Sequence, residues 1–140
     1  MSIHAIRASK IRLYYVLAPI DACVLVQIGV SRSPVDRAYR GARALVRPWV
    51  LAYADMGGLT RARSGHEWLK DEISGRWTAQ DGWWMVPEAD GRTFRRCFLS
   101  AVHRYGLYDA KNSIHHVDLL EYSKRRVVGT PAFGRALIPS

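Results

Sequence analysis

Carboxylates are scarce in this chain: Asp and Glu together number 12, against 21 Lys and Arg. The surface must therefore carry a substantial positive field. Cysteine is scarcer still. Cys23 and Cys97 each fall in an apolar segment and do not form a CxxC pair, which argues against a disulfide framework or a cysteine-based zinc site and for two small buried hydrophobes. No run approaches the roughly 18 apolar residues that a membrane span needs. Arg7, Lys10 and Arg12 interrupt the N-terminal stretch where a signal peptide would have its apolar region. The expectation is a cytoplasmic protein in a reducing compartment, without a membrane partner. Also lacking are a phosphate-cradling glycine loop, a Ser/His/Asp arrangement, internal repeats and low-complexity tracts.

What is present suits a folded domain. The 140 residues are 49% hydrophobic and include five Trp and seven Tyr, enough for one domain with a real core and too few residues for two comfortable ones. The net charge of +9 makes nucleic acid the first partner to consider, although charge alone is equally compatible with mere solubility.

Strand signals come first. Residues 11–18 are rich in Tyr, Val and Leu, residues 22–30 are again β-branched and apolar, and Pro19-Ile20-Asp21 supplies a turn between them. Because both runs are continuously apolar instead of alternating, they read as central strands covered on both faces. Ser33-Pro34 then starts a helix: Ser33 can cap, proline suits the first turn, and Asp36 complements the helix dipole. On that helix Val35, Ala38, Ala42, Leu45 and Val46 share one side, while Arg37, Arg40, Arg43 and Arg47 gather on the other.

Pro48 ends this helix, and residues 49–54 read as a third strand punctuated by Gly57-Gly58. Leu59, Ala62, Leu69 and Ile73 share a face of a second helix, with Gly65 as its weak point. Asp81-Gly82 is a turn into a short aromatic strand that Pro87 closes. Phe94, Cys97, Phe98, Ala101, Val102 and Tyr105 follow the helical repeat closely, with Arg92, Arg95, Arg96 and Arg104 on the outer face. Beyond Gly106 only a short element within residues 114–122 is suggested, and the last dozen residues carry no structural signal. His66 falls on an apolar helix face and reads as a hydrogen-bonded core residue, and adjacent His115 and His116 would point in different directions.

The order of "LYYVL", "VQIGVS" and "SPVDRAYR" resembles the GIY-YIG nuclease superfamily, most closely its phage-type branch, over about residues 12–86. Tyr15 falls at the tyrosine of the family's first triplet, Gln27-Ile28-Gly29 on its second, and Arg37 at its helix arginine. In "HEWLKDEISGRWTAQDGWWMV", Glu67 falls at the metal-binding glutamate and Gly82-Trp83-Trp84-Met85 at the terminal motif. The chain departs from the pattern at Gln27, which replaces a frequent tyrosine, at Asp71, where the branch often has histidine, and at Trp83, where it often has an acid.

The resemblance implies an α/β fold with a small, mainly antiparallel three-stranded sheet flanked by three helices, a nuclease-like domain over residues 1–106, and a basic C-terminal extension over residues 107–140. It also implies a Mg²⁺-dependent endonuclease, with Mn²⁺ as a substitute ion, that hydrolyses phosphodiesters of DNA by preference. Tyr15 would position or activate water with Gln27 as an auxiliary contact, Arg37 would stabilise the phosphate in the transition state, and Glu67 would hold the metal. Arg40, Arg43, Arg47 and Arg63 would contact the backbone of the nucleic acid.

Each residue also has a plainer reading. Tyr15 suits a strand as an ordinary aromatic, Arg37 suits a solvated helix face, and Glu67 suits a pair with Arg63 or Lys70. Two other functions therefore stand beside the nuclease: a noncatalytic nucleic-acid-binding module on the same fold, and a phage-type protein-interaction module using the Trp83-Trp84 region.

Overall fold

The computed structural model of the chain describes residues 11–20, 22–35, 37, 50–106 and 114–118. Its sheet is built from β1 (Arg12–Ile20), β2 (Cys23–Ser31), β3 (Val50–Asp55), β4 (Ala79–Gln80), β5 (Trp83–Pro87) and β6 (Ile114–Asp118). All pairings are antiparallel, in the order β4-β5-β2-β1-β3-β6. The α/β class agrees with the sequence. The sheet, however, has six strands where three were expected.

The three expected strands form its middle. β1 and β2 make a long hairpin in register from Arg12↔Ser31 to Ile20↔Cys23, and β3 pairs with the other side of β1, from Arg12↔Asp55 to Leu17↔Val50. β5 is the short aromatic strand expected after Asp81-Gly82, and β4 and β6 extend the edges. β4 and β5 are joined by Asp81 and Gly82, whose φ angles of 53° and 82° give the two-residue turn that matches strand twist. β6 pairs with β3 and comes from the segment after residue 106, so the sheet draws its last strand from the expected extension.

The continuous apolarity of β1 has a physical reason, since the sheet is covered on both faces. Leu13, Tyr15 and Leu17, with Val24, Val26 and Ile28 of β2, belong to the main core under two helices, α1 (Leu59–Ser74) and α2 (Gly91–Tyr105). Tyr14, Val16 and Leu51 point the other way and pack with Val35, Tyr53, Trp83 and Val117. Val35 arrives on a helical turn that begins after Ser33, where the Arg37 amide donates to the Ser33 carbonyl at 3.1 Å. The rest of the first expected helix, including Arg40, Arg43 and Arg47, lies outside the described residues.

α1 and α2 pack beside each other on the main core. Gly65 lets α1 settle against Met56: a Cβ there would sit 3.0 Å from Met56 Cε, with Leu13 Cδ2 at 3.5 Å and Tyr105 Cβ of α2 at 3.7 Å in ordinary contact. A helical glycine costs about 1 kcal/mol relative to alanine, and here close approach offsets that cost. Arg61 donates to the Tyr105 carbonyl at 3.3 Å, and the Arg104 guanidinium lies 4.8 Å from the Trp68 ring centre. Among the described residues no helix is long and apolar enough to cross a membrane.

Candidate functional site

Tyr15 is a core residue in this fold. It is 0% exposed, and its ring stands edge-on to Phe94 at 5.1 Å and to Phe98 at 4.7 Å. Burial pushes its phenol far above the ordinary tyrosine range, a shift that the positive charge of Arg95 opposes. A phenol so placed is a poor base and has no open path to a phosphodiester.

The tyrosine that meets Arg37 is Tyr14. Successive strand residues face opposite sides, so Tyr14 is on the second face of the sheet with its ring over Gly29. A Cβ on Gly29 would collide with the Tyr14 hydroxyl, so only glycine accommodates the ring there. Arg37 donates a hydrogen bond to the Tyr14 phenol; burial raises the phenol's pKa, while the charge and hydrogen bond of Arg37 lower it. Gln27 is opposite Val16 and therefore on this same face, its Nε2 near Gly82.

Arg12, Tyr53 and His115 continue this polar row. The Arg12 guanidinium lies 5.3 Å from the Tyr53 ring centre and also donates to the Arg32 carbonyl at 2.6 Å. Tyr53 stacks on its cross-strand partner His115 at 5.1 Å and 23°. His116 points to the other face, where burial, then Arg95, then His115 lower its pKa. The two adjacent histidines thus diverge as strand geometry requires.

Glu67 is elsewhere. It is exposed on α1, whose Ala62, Leu69 and Ile73 pack on the main core, across the sheet from Tyr14 and Arg37. Its neighbour His66 is half-buried and hydrogen-bonded to the backbone of Ile28, just beyond the point where pairing of β2 with β5 ends at Val26. Burial lowers the pKa of His66, Lys70 adds to that effect, and Glu67 and the Ile28 bond oppose it. Among the described residues there is no cluster of three or more His, Cys, Asp or Glu. Glu67 and Asp71, one turn apart, are acidic positions on α1, but the other expected catalytic groups do not reach them. The described residues therefore do not gather Tyr15, Gln27, Arg37 and Glu67 round one Mg²⁺.

The geometry does gather cations on α2, whereas on α1 the cations are matched by Glu67, Asp71 and Glu72. Arg61, Arg63 and Lys70 are exposed on α1, and Arg92, Arg96 and Arg104 on α2, with Arg95 half-buried between them. Arg76–Glu72, at 4.0 Å, is the one ion pair between side chains among the described residues. Arg92, Arg95, Arg96 and Leu99 line an open concavity of about 450 Å³. The Trp-rich segment is mostly internal: Trp84 is buried and donates to Ser74 Oγ at 3.3 Å, and Trp83 packs on the second face.

Two residues to which the sequence alone assigns no individual role, Tyr14 and Arg95, are central to these arrangements. Tyr14 was hidden by its neighbour, since either tyrosine of "LYYVL" fits a strand and only the cross-strand match to Gly29 separates them. Arg95 was visible as one of several outer-face arginines, and its partial burial follows from its position beside Phe94 and Phe98. No family model, curated protein or solved structure was found to match the chain significantly.

Proposed function

We propose that the chain is a noncatalytic nucleic-acid-binding module, preferring DNA, on a divergent GIY-YIG-like scaffold. The observation that carries this reading is the outer face of α2, where Arg92, Arg95, Arg96 and Arg104 stand on a helix without a single carboxylate, whereas α1 is balanced, with Arg61, Arg63 and Lys70 against Glu67, Asp71 and Glu72. Unpaired surface cations attract a phosphate backbone and gain affinity by releasing its counterions. A face of this kind fixes position without reading sequence, because phosphate contacts carry no base information.

The endonuclease reading retains one specific support, the Tyr14–Arg37 contact, which sets a phenol beside a cation on the second face. In that reading Mg²⁺ or Mn²⁺ would be supplied with the substrate phosphates, since Glu67 lies across the sheet from this contact.

One assay separates the two. Binding to a labelled duplex is followed across salt concentrations, and nicking of supercoiled plasmid is followed with Mg²⁺, Mn²⁺ and EDTA. The module should bind with log K falling by about 0.9 per log unit of salt for each phosphate neutralised, and should leave the plasmid intact. Metal-dependent nicking that disappears in Arg37→Ala would replace this reading with the endonuclease. Salt-insensitive binding, or none at low salt, would remove nucleic acid as the partner.

A further inference from the structure

Arg92, Arg95, Arg96 and Leu99 are spaced as i, i+3, i+4 and i+7, so α2 presents them on one stripe, and together they line the concavity of about 450 Å³. That volume is nucleotide-sized. The three guanidiniums are not equivalent. Arg92 and Arg96 are exposed, whereas Arg95 is half-buried with its Nε enclosed and without a hydrogen-bond acceptor among the described residues. No carboxylate described in the structure lies within 4.0 Å of any of the three.

Three like charges in one concavity repel one another. A single anion with several oxygens, held by the guanidiniums that line the concavity, would relieve that repulsion. An internal phosphodiester brings one negative charge, whereas a phosphomonoester brings nearly two at neutral pH and three acceptor oxygens. Guanidinium forks match such oxygens in pairs. Leu99 adds an apolar wall against which a sugar or base edge can rest.

We propose that this concavity is a seat for a phosphomonoester group, the terminal phosphate of a nucleic-acid strand, with Arg95 as its inner ligand and Arg92 and Arg96 at its mouth. The proposal deepens the nucleic-acid reading and rests on it for the source of the phosphate. A free nucleotide would present the same chemistry, and the test distinguishes the two.

The full chain is titrated with one short labelled duplex in three forms, carrying 5′-phosphate, 3′-phosphate or only hydroxyl ends, at fixed salt. Competition uses inorganic phosphate and a nucleoside 5′-monophosphate. A phosphate-ended duplex should bind about tenfold more tightly than the hydroxyl-ended one, as expected for several charge-assisted bonds to one group. Arg95→Gln should reduce this preference to about twofold or less while changing affinity for the hydroxyl-ended duplex by less than about threefold, as one contact among many. Arg96→Gln, at the exposed mouth, should reduce the preference in the same direction and guards against misfolding of the Arg95 variant. Equal affinity of all three duplexes in the wild type, with salt-dependent binding intact, overturns the seat and leaves the nucleic-acid reading standing. If no duplex binds while the nucleoside monophosphate does, and Arg95→Gln abolishes that binding, the seat stands and its occupant is a free nucleotide. If neither binds, both readings fall.

Discussion

At the scale of single residues, the contact most exposed to test is the ring of Tyr14 over Gly29. Aromatic cover of a glycine across an antiparallel pair leaves no room for a methyl group, and overpacking of this kind typically costs about 1–3 kcal/mol. Gly29→Ala should lower stability by that amount in chemical denaturation. Made in a Tyr14→Ala background, the same change should cost at least about 1 kcal/mol less, because its collision partner is gone. Additive effects would show that the ring does not occupy that space.

Tyr15 makes a second residue-scale statement through its raised pKa. The folded value lies above the ordinary one of about 10, so the fold favours the neutral phenol. Stability from this source is complete below about pH 10 and is lost as pH rises further, because the unfolded chain gives up the proton first. Tyr14 is shifted the same way. Denaturation midpoints should therefore be level up to about pH 10 and fall beyond it, and Tyr15→Phe should make that fall shallower. An unchanged alkaline profile in Tyr15→Phe would contradict the enclosure of the phenol.

At the scale of elements, α2 is the helix whose sequence and structure agree most fully. Phe94, Cys97, Phe98, Ala101 and Val102 repeat at helical spacing, and all are buried against the sheet. Phe98 is almost entirely enclosed, so Phe98→Ala should destabilise the domain by about 3–5 kcal/mol. A loss under about 1 kcal/mol would mean that this face of α2 is not its packing face. The central strands were legible for a related reason, since continuous apolar runs of this length have few other places to go. The edges were not. β4 contributes two exposed residues, and β6 reads Ile-His-His-Val-Asp with only partial burial, so neither carries the apolar alternation that marks a strand. Their pairing depends on a neighbour that the local sequence does not encode. The candidate catalytic set failed to converge for a similar reason: Tyr15 and Gln27 are each sound strand residues, and only the register puts them on opposite faces.

At the scale of the whole molecule, the described chain is one sheet with unlike faces, a deep core under two helices, of which α2 is strongly basic, on one side and a smaller cluster topped by a polar row on the other. β1 is bonded on both sides along Leu13–Leu17, to β2 and to β3, whereas β4 and β6 end the sheet. That placement sets an order of opening. Each amide hydrogen of β1 is directed to one of its two neighbours, β2 or β3, both inside the sheet, so exposing it means splitting the sheet in its middle, which amounts to unfolding the domain, while those of β6 need only the rim to lift. In deuterium exchange followed at increasing denaturant, the β1 amides should track the global unfolding free energy and the β6 amides should exchange sooner through a nearly denaturant-independent route. If β6 proved as slow as β1, the rim would be held by something stronger than its single line of pairing to β3.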